Sequence, residues 1–265
     1  ILRMIALRLG RVEAFPFIDP PAAPSIKDGF DLLYELGAIR LPKQPSKKRA
    51  ALPPRLTPEG RLMARLPIDP RLSRMIIEAQ RRGCLADIMI IAAALSLQDP
   101  RERPDGQTKA ADEAQAVFID RFSDFMTLLN IWYRCHDALG SPPRTSRLKK
   151  FCRTHFLSFK RMREWRDIHY QIVTIAREHG LQPGATDSPA KAAGRATSAG
   201  PAQTDKPFTP YFNALHCSIL SGFLSNIAQR KEKNFYRAAK GREVMVFPGS
   251  GLFNRAGEWI VAAEM

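Results

Sequence analysis

The sequence has no run of 18 apolar residues, so no segment of it is long enough to cross a bilayer as a helix. The apolar stretch nearest the start also lacks the layout of a secretory leader. The chain opens on Ile1 rather than Met, and the expectation is that it was cut from something larger. Cysteine is scarce: Cys84, Cys135, Cys152 and Cys217 lie far apart and form no CxxC pair. That spacing argues against a zinc site or a disulfide framework, and it predicts reduced thiols, mostly in the core, of a cytoplasmic protein. There is no GxxxxGK[ST] loop, the segment whose backbone amides cradle a nucleotide's phosphates. ATP hydrolysis by this chain alone is therefore not expected, and no catalytic or metal-ligating residue is assigned. Acidic residues are in deficit, 26 against 41 Lys and Arg, for a net charge of +15. So large a cationic excess favours a polyanion partner over a merely solvated surface, because clustered cations release counterions from phosphate.

Hydrophobic residues make up 45% of the chain and charged residues 25%, which is enough apolar material for most of it to fold. Four segments are legible. Residues 1–66 read as a small unit. Helical spacing in Ile1 to Leu9 is followed by the turn-rich Phe15-Pro16-Phe17-Ile18-Asp19-Pro20-Pro21. A helix then starts at an expected N-cap, Ser25, carries the stripe Ile26, Phe30, Leu33 and Leu36, and stops at Gly37. Two short extended pieces, Ala38 to Leu41 and Arg55 to Thr57, flank a loop with six basic and no acidic residues between Arg40 and Arg55. Helix, helix and long-looped hairpin make a winged-helix pattern.

Residues 67–182 read as a helical bundle. Leu72, Met75, Ile76 and Ala79 share one face up to Gly83, and Cys84 to Leu97 is apolar nearly all round, as a central helix would be. Phe118 to Trp132 and Leu148 to Arg177 supply two more helices. Residues 183–207, rich in Ala, Gly, Pro, Ser and Thr and without an aromatic, read as a flexible linker. Residues 208–265 carry a short helix from His216 and several short strands, the pattern of a small OB-fold barrel cut short at Met265. The fold class is thus multi-domain α+β and mainly α: winged helix, ratchet-like helical bundle, partial OB-fold.

Phrases along nearly the whole chain resemble the bacterial DEAH-box ATP-dependent RNA helicases of the HrpA family. They include Leu56-Thr57-Pro58-Glu59-Gly60-Arg61, Leu66-Pro67-Ile68-Asp69-Pro70-Arg71-Leu72, the run from Ala94 to Pro104, Arg163-Glu164-Trp165, and Phe247-Pro248-Gly249-Ser250-Gly251-Leu252-Phe253. The resemblance implies that these modules close a channel around single-stranded RNA against two RecA-like motor domains of the same parent chain. ATP and Mg²⁺ would be used by those motors, with no cofactor in this chain. It also implies that Ser96, Gln98 and Arg103 touch the RNA backbone. Asp112-Glu113-Ala114-Gln115 is no DEAH box, since no apolar strand precedes it, and it reads as the acidic first turn of a helix.

Two basic stretches add candidates for RNA binding. Arg144 to Arg166 holds nine basic residues and one acidic, and on one helix Arg153, Lys160, Arg163 and Arg166 would project together. Arg230 to Arg242 holds six basic and one acidic with Phe235 and Tyr236 between them; interleaved cations and aromatics suit an unpaired strand, which nominates Lys231, Lys233 and Arg237. Phe247 to Phe253 and Trp259 are assigned to core and turn. The expectation is a monomer whose three modules turn their cations to one shared channel. Two other readings stay open: a protein-docking module acting through Phe15, Phe17 and Ile18, and a DNA-reading winged helix, which Asp28, Asp31 and Glu35 on the recognition helix oppose.

Overall fold

The N-terminal unit assembles around one stripe of apolar side chains. In the computed structural model, which describes residues 1–41, 54–140, 144–184 and 209–264, helix α1 (Leu2–Leu7) and helix α2 (Ala23–Glu35) precede a two-stranded antiparallel hairpin. Strand β1 (Ile39–Arg40) pairs with β2 (Arg55–Leu56), Ile39 opposite Leu56, and α3 (Pro58–Arg65) follows. Leu33, Leu36, Ile39 and Met63 close the core, and Gly37 takes φ 66 to end α2. Helix α2 starts two residues before Ser25, because Pro24 fits the first turn with its fixed φ and missing N–H. Thr57 caps α3 by accepting from Gly60 N at 2.9 Å, and its hydroxyl donates to Gly37 O at 2.7 Å. Gly60 must lack a side chain, since a Cβ there would stand 1.8 Å from Ala38 O. The basic loop of the hairpin lies, from residue 42 to 53, outside the described residues.

The bundle is built on α5 (Leu85–Leu95), which the sequence predicts to be central. Leu85, Ile88, Ile91, Ala92 and Ala93 are fully buried, and each large aliphatic side chain so placed contributes roughly 1.5–3 kcal/mol. Around it lie α4 (Pro70–Arg82), α7 (Asp124–Leu139), α8 (Thr145–Thr154) and α9 (Phe159–Glu178). Asp69 caps α4 and Gly83 ends it in the left-handed region. Trp165 on α9 donates from its indole N–H to Ile90 O at 2.9 Å, so its ring packs without an orphan donor. Asp87, buried on α5, accepts the hydroxyls of Tyr133 on α7 and, at 2.5 Å, Tyr211.

Three sequence expectations change here. The helix expected over Leu148 to Arg177 is two helices, broken at Phe156, which holds φ 51. The break is fixed from outside: Glu102 N donates to Phe156 O and Ser158 N to Pro100 O, both at 2.8 Å, so the segment after α5 claims the turn's backbone groups. Asp112 and Glu113 sit beyond the first turn of α6 (Thr108–Gln115), which begins earlier, just after Gly106 at φ 79. Finally, α10 (Pro210–Gly222) belongs to the bundle, although residues 208–265 were assigned to the barrel: Leu215, Ile219 and Phe223 join the core that α4 and α5 form. A Cβ at Gly222 would lie 2.5 Å from Arg71 O, so α10 and α4 approach at backbone distance. From residue 185 to 207 the expected linker lies outside the described residues.

Beyond α10, four antiparallel strands form one sheet in the order β5-β4-β3-β6: β3 (Ile227–Glu232), β4 (Phe235–Ala238), β5 (Glu243–Met245) and β6 (Trp259–Val261). Ala228, Tyr236, Ala238, Val246 and Ala256 fill its inner side. The hydroxyl of Tyr236 donates to Gly257 O at 2.8 Å. Among the described residues no helix is long and apolar enough to cross a membrane.

Candidate nucleic-acid interface

Sheet alternation decides which side chains of the last strands face outward. Phe235 and Arg237 on β4 are exposed while Tyr236 and Ala238 are buried, and Glu243, Met245 and Phe247 are exposed while Val246 is buried. Phe235 stands opposite Met245 and Arg237 opposite Glu243; Gln229 lies between Arg237 and Trp259. The outer face is thus a strip of Trp259, Gln229 and Arg237 beside Phe235 and Met245. Lys231 pairs with Glu243 at 2.5 Å, and that contact holds the exposed Glu243 carboxyl below its usual range. Lys233 occupies the β3–β4 turn at φ 38, also exposed. Trp259 and Phe247, expected in the core, are 60% and 65% exposed; the inner side is already filled by small residues and Tyr236.

Phe247 carries this face into a groove. A cavity of about 680 Å³ opens between the bundle and the loop after β5, lined by Arg101, Arg103, Arg121 and Phe122 on one wall and Phe247 and Arg255 on the other. The two walls are pinned through Asp124, the first residue of α7. Ser250 Oγ donates to one carboxylate oxygen at 2.5 Å and Gly251 N to the other at 3.0 Å. Gly251 lies so close that a Cβ would stand 2.3 Å from Asp120 O. Asp120 in turn accepts from Phe122 N and Ser123 N, which fixes the turn that leaves Phe122 at the surface.

Charge in the groove is partly committed. Arg101 donates to Asp99 at 2.6 Å and Arg103 to Asp112 at 2.7 Å. Burial works against the Arg101 charge, but its hydrogen bond to Asp99 and the field of Asp99 and Asp124 hold the guanidinium firmly protonated. The Arg103–Asp112 pair is exposed on both sides and such pairs are weak, of order 0–1 kcal/mol, whereas Arg101 is largely buried. Arg121 lies 5.9 Å from the Phe122 ring centre, a cation and an aromatic presented side by side.

The structure distributes the ten residues nominated from sequence over several surfaces rather than one channel. Arg103 lines the groove, and Lys231, Lys233 and Arg237 lie on the sheet or its turn. Ser96 is exposed at the end of α5, donates to Ala92 O at 2.9 Å, and borders a different cavity of about 550 Å³ with Ile168, Ile172 and Phe223. Gln98 is exposed beyond it. Arg153 stands on α8 while Lys160, Arg163 and Arg166 stand on α9, so the break at Phe156 separates what one helix was expected to align. Lys160 lies 3.9 Å from Glu164, and Arg166 is half-buried, near enough to His136 to lower that imidazole's pKa alongside its burial. Arg101, Arg121, Phe122, Phe247 and Arg255 were missed. Only the Arg121-Phe122 dipeptide offered a local signal, since the groove exists only where residue 250 meets residue 124. Among the described residues no cluster of three or more His, Cys, Asp or Glu is placed to hold a metal. Phe15 and Phe17, their ring centres 4.7 Å apart and tilted, pack against the Met4, Val12 and Ile26 cluster, leaving Ile18 outward.

Residues 69–128 match the helicase associated domain (HA2), described as ratchet-like. Over its full length the chain is 38% identical to the ATP-dependent RNA helicase HrpA of Escherichia coli strain K12 and covers 18% of that protein. It is 37% identical to the HrpA homolog of Haemophilus influenzae, again covering 18%, and 26% identical to the pre-mRNA-splicing factor ATP-dependent RNA helicase prp22 of Schizosaccharomyces pombe, covering 19%. The chain therefore spans about a fifth of the length of these relatives. Joined to the match with the ratchet-like domain, the likeness along the whole sequence makes this chain similar to the C-terminal region of the HrpA-like DEAH-box helicases.

Proposed function

We propose that this chain is the accessory, RNA-holding region of an ATP-dependent DEAH-box RNA helicase and binds single-stranded RNA without reading its sequence. In this reading residues 1–66 act as a winged helix and the four-stranded sheet as a partial OB-fold. RecA-like motor domains elsewhere in the same parent chain bind ATP and Mg²⁺ and drive translocation, in a cytoplasmic monomer. The observation that carries the proposal is the run of outward side chains from Trp259 through Met245 and Phe247 into the groove of Arg121, Phe122 and Arg255. Aromatic rings stack on any base and arginines pair with any phosphate, so the surface can hold a strand while remaining indifferent to sequence.

The test is fluorescence anisotropy with a 12-nucleotide oligouridine and a mixed-sequence oligomer of the same length. Both should bind with similar affinity that falls steeply as salt rises, and Phe247→Ala with Arg255→Ala should weaken both by roughly tenfold or more. Binding indifferent to salt, or unchanged in the double variant, would overturn the proposal.

A further inference from the structure

The outer face of α8 is a second charged surface, and it differs from the groove in kind. Its inner side is Leu148, Phe151 and Cys152, all buried. On the other side Lys149, Lys150 and Arg153 are exposed, at helical spacing, with roughly 6 Å of axis between Lys149 and Arg153. Arg147 is committed elsewhere: it donates to Leu139 O at 3.2 Å and closes the end of α7. Lys149 sits 5.5 Å from the ring centre of Phe159, the first residue of α9, so the stripe meets the positive end of a 20-residue helix with no acidic residue in its first turn. Lys160 and Arg163 continue from there, both exposed, and between Arg144 and Arg163 there is no acidic residue at all.

What this face lacks identifies its ligand. From Arg144 to Arg163 the aromatic side chains are Phe151, which is buried, and His155, Phe156 and Phe159, which are half-buried, the last beneath Lys149, so no fully exposed ring is offered for an unpaired base to stack on. A convex helix surface does not enclose a strand either, whereas the groove beside Phe247 does. Cations on a stiff rod contact phosphates only, and double-stranded RNA, which hides its bases and presents its backbone on a rigid scaffold, is recognised in that way. We propose that α8 and the start of α9 grip the backbone of duplex RNA, while the groove and sheet hold unpaired RNA. The proposal goes beyond the single-strand reading and shares with it only the class of partner.

The experiment compares a blunt 20-base-pair RNA duplex with oligouridine, titrated against the full chain and two variants. The triple variant K149E/K150E/R153E should lose roughly tenfold or more in duplex affinity and flatten the salt dependence, with oligouridine binding changed less than threefold. The double variant Phe247→Ala with Arg255→Ala should show the reverse. The conservative set K149R/K150R/R153K, which keeps all three charges, should bind duplex like the parent. All are surface positions, and circular dichroism of each variant checks that it is folded. No duplex binding by the parent at low salt, or equal loss of both ligands in the triple variant, would overturn the assignment. A parent chain that binds duplex but not oligouridine would instead count against the single-strand groove alone, and a triple variant that loses oligouridine but keeps duplex binding would overturn the α8 assignment.

Discussion

His169 lies edge-on to Trp132 at 4.6 Å, with His136 tilted against the same indole at 4.3 Å. Burial, helped by the neighbouring His136, lowers the His169 pKa to about 4. In the unfolded chain its pKa is near 6.5, so between those values the unfolded state binds more protons and stability rises as pH rises. The contribution is intact above about pH 6.5 and is lost on acidification toward pH 4, to a limit of roughly 3 kcal/mol. Urea unfolding at pH 7 and pH 4.5 should therefore show a smaller loss of stability in His169→Gln than in the parent; equal losses would sink the assignment. Cys135 and Cys152 behave oppositely, since burial pushes their thiols up to about 12 and about 11 and leaves them as packing groups. Gly251→Ala, whose new methyl would meet Asp120 O at 2.3 Å, should lift the loop after β5 off α7. Limited proteolysis should then cut near Phe253 several-fold faster, and oligouridine affinity should fall with it.

Within the bundle, α4 packs against both α5 and α10, and α5 is engaged on all its sides. One hydrogen bond from α9, Trp165 Nε1 to Ile90 O, fixes the height at which these two helices pack. Trp165→Phe keeps much of the apolar volume but removes that second hydrogen bond to a carbonyl inside α5, and should cost about 0.5–1.5 kcal/mol of unfolding free energy, read by chemical denaturation. The turn at Phe156 shows the opposite logic: its residue keeps an unfavourable positive φ because Glu102, Ser158 and Gln115 all bond to or beside it. Gln115, nearly fully buried, donates to both Glu102 O and Phe156 O at 3.0 Å. Gln115→Ala should therefore release the link between the segment after α5 and the α8–α9 turn. Amide exchange at Glu102 and Ser158 should rise at least tenfold while α4 stays protected.

At the scale of the whole molecule, the charge of +15 is divided between surfaces of different character. One combines Arg121, Arg255, Phe122 and Phe247 with the outer strands; another is the aromatic-free face of α8. Salt should affect them unequally. Oligouridine binding, part stacking and part phosphate pairing, should retain measurable affinity at 0.5 M salt, and duplex binding should be lost well below that concentration. Equal salt slopes for the two ligands would show that one surface serves both.

Local periodicity carried much of the helical order. The α2 stripe, the buried α5 and the left-handed glycines at 37 and 83 are properties of nearest neighbours in sequence, where 3.6-residue spacing and backbone sterics act. The strands near Phe235, Val244 and Trp259 were legible for the same reason. Which side of the sheet Trp259 and Phe247 face was not, because it depends on Tyr236 and small alanines filling the interior from other strands. The break at Phe156, the capture of α10 by the bundle and the groove itself depend on contacts between residues dozens to more than a hundred positions apart: Pro100 with Ser158, Arg71 with Gly222, Asp124 with Ser250. Sequence alone determined that this protein would be cationic, mainly helical and without a nucleotide-binding loop, since those follow from composition, period and motif. Tertiary structure alone decided which cations keep company with aromatics, since only packing brings side chains distant in the chain to one surface.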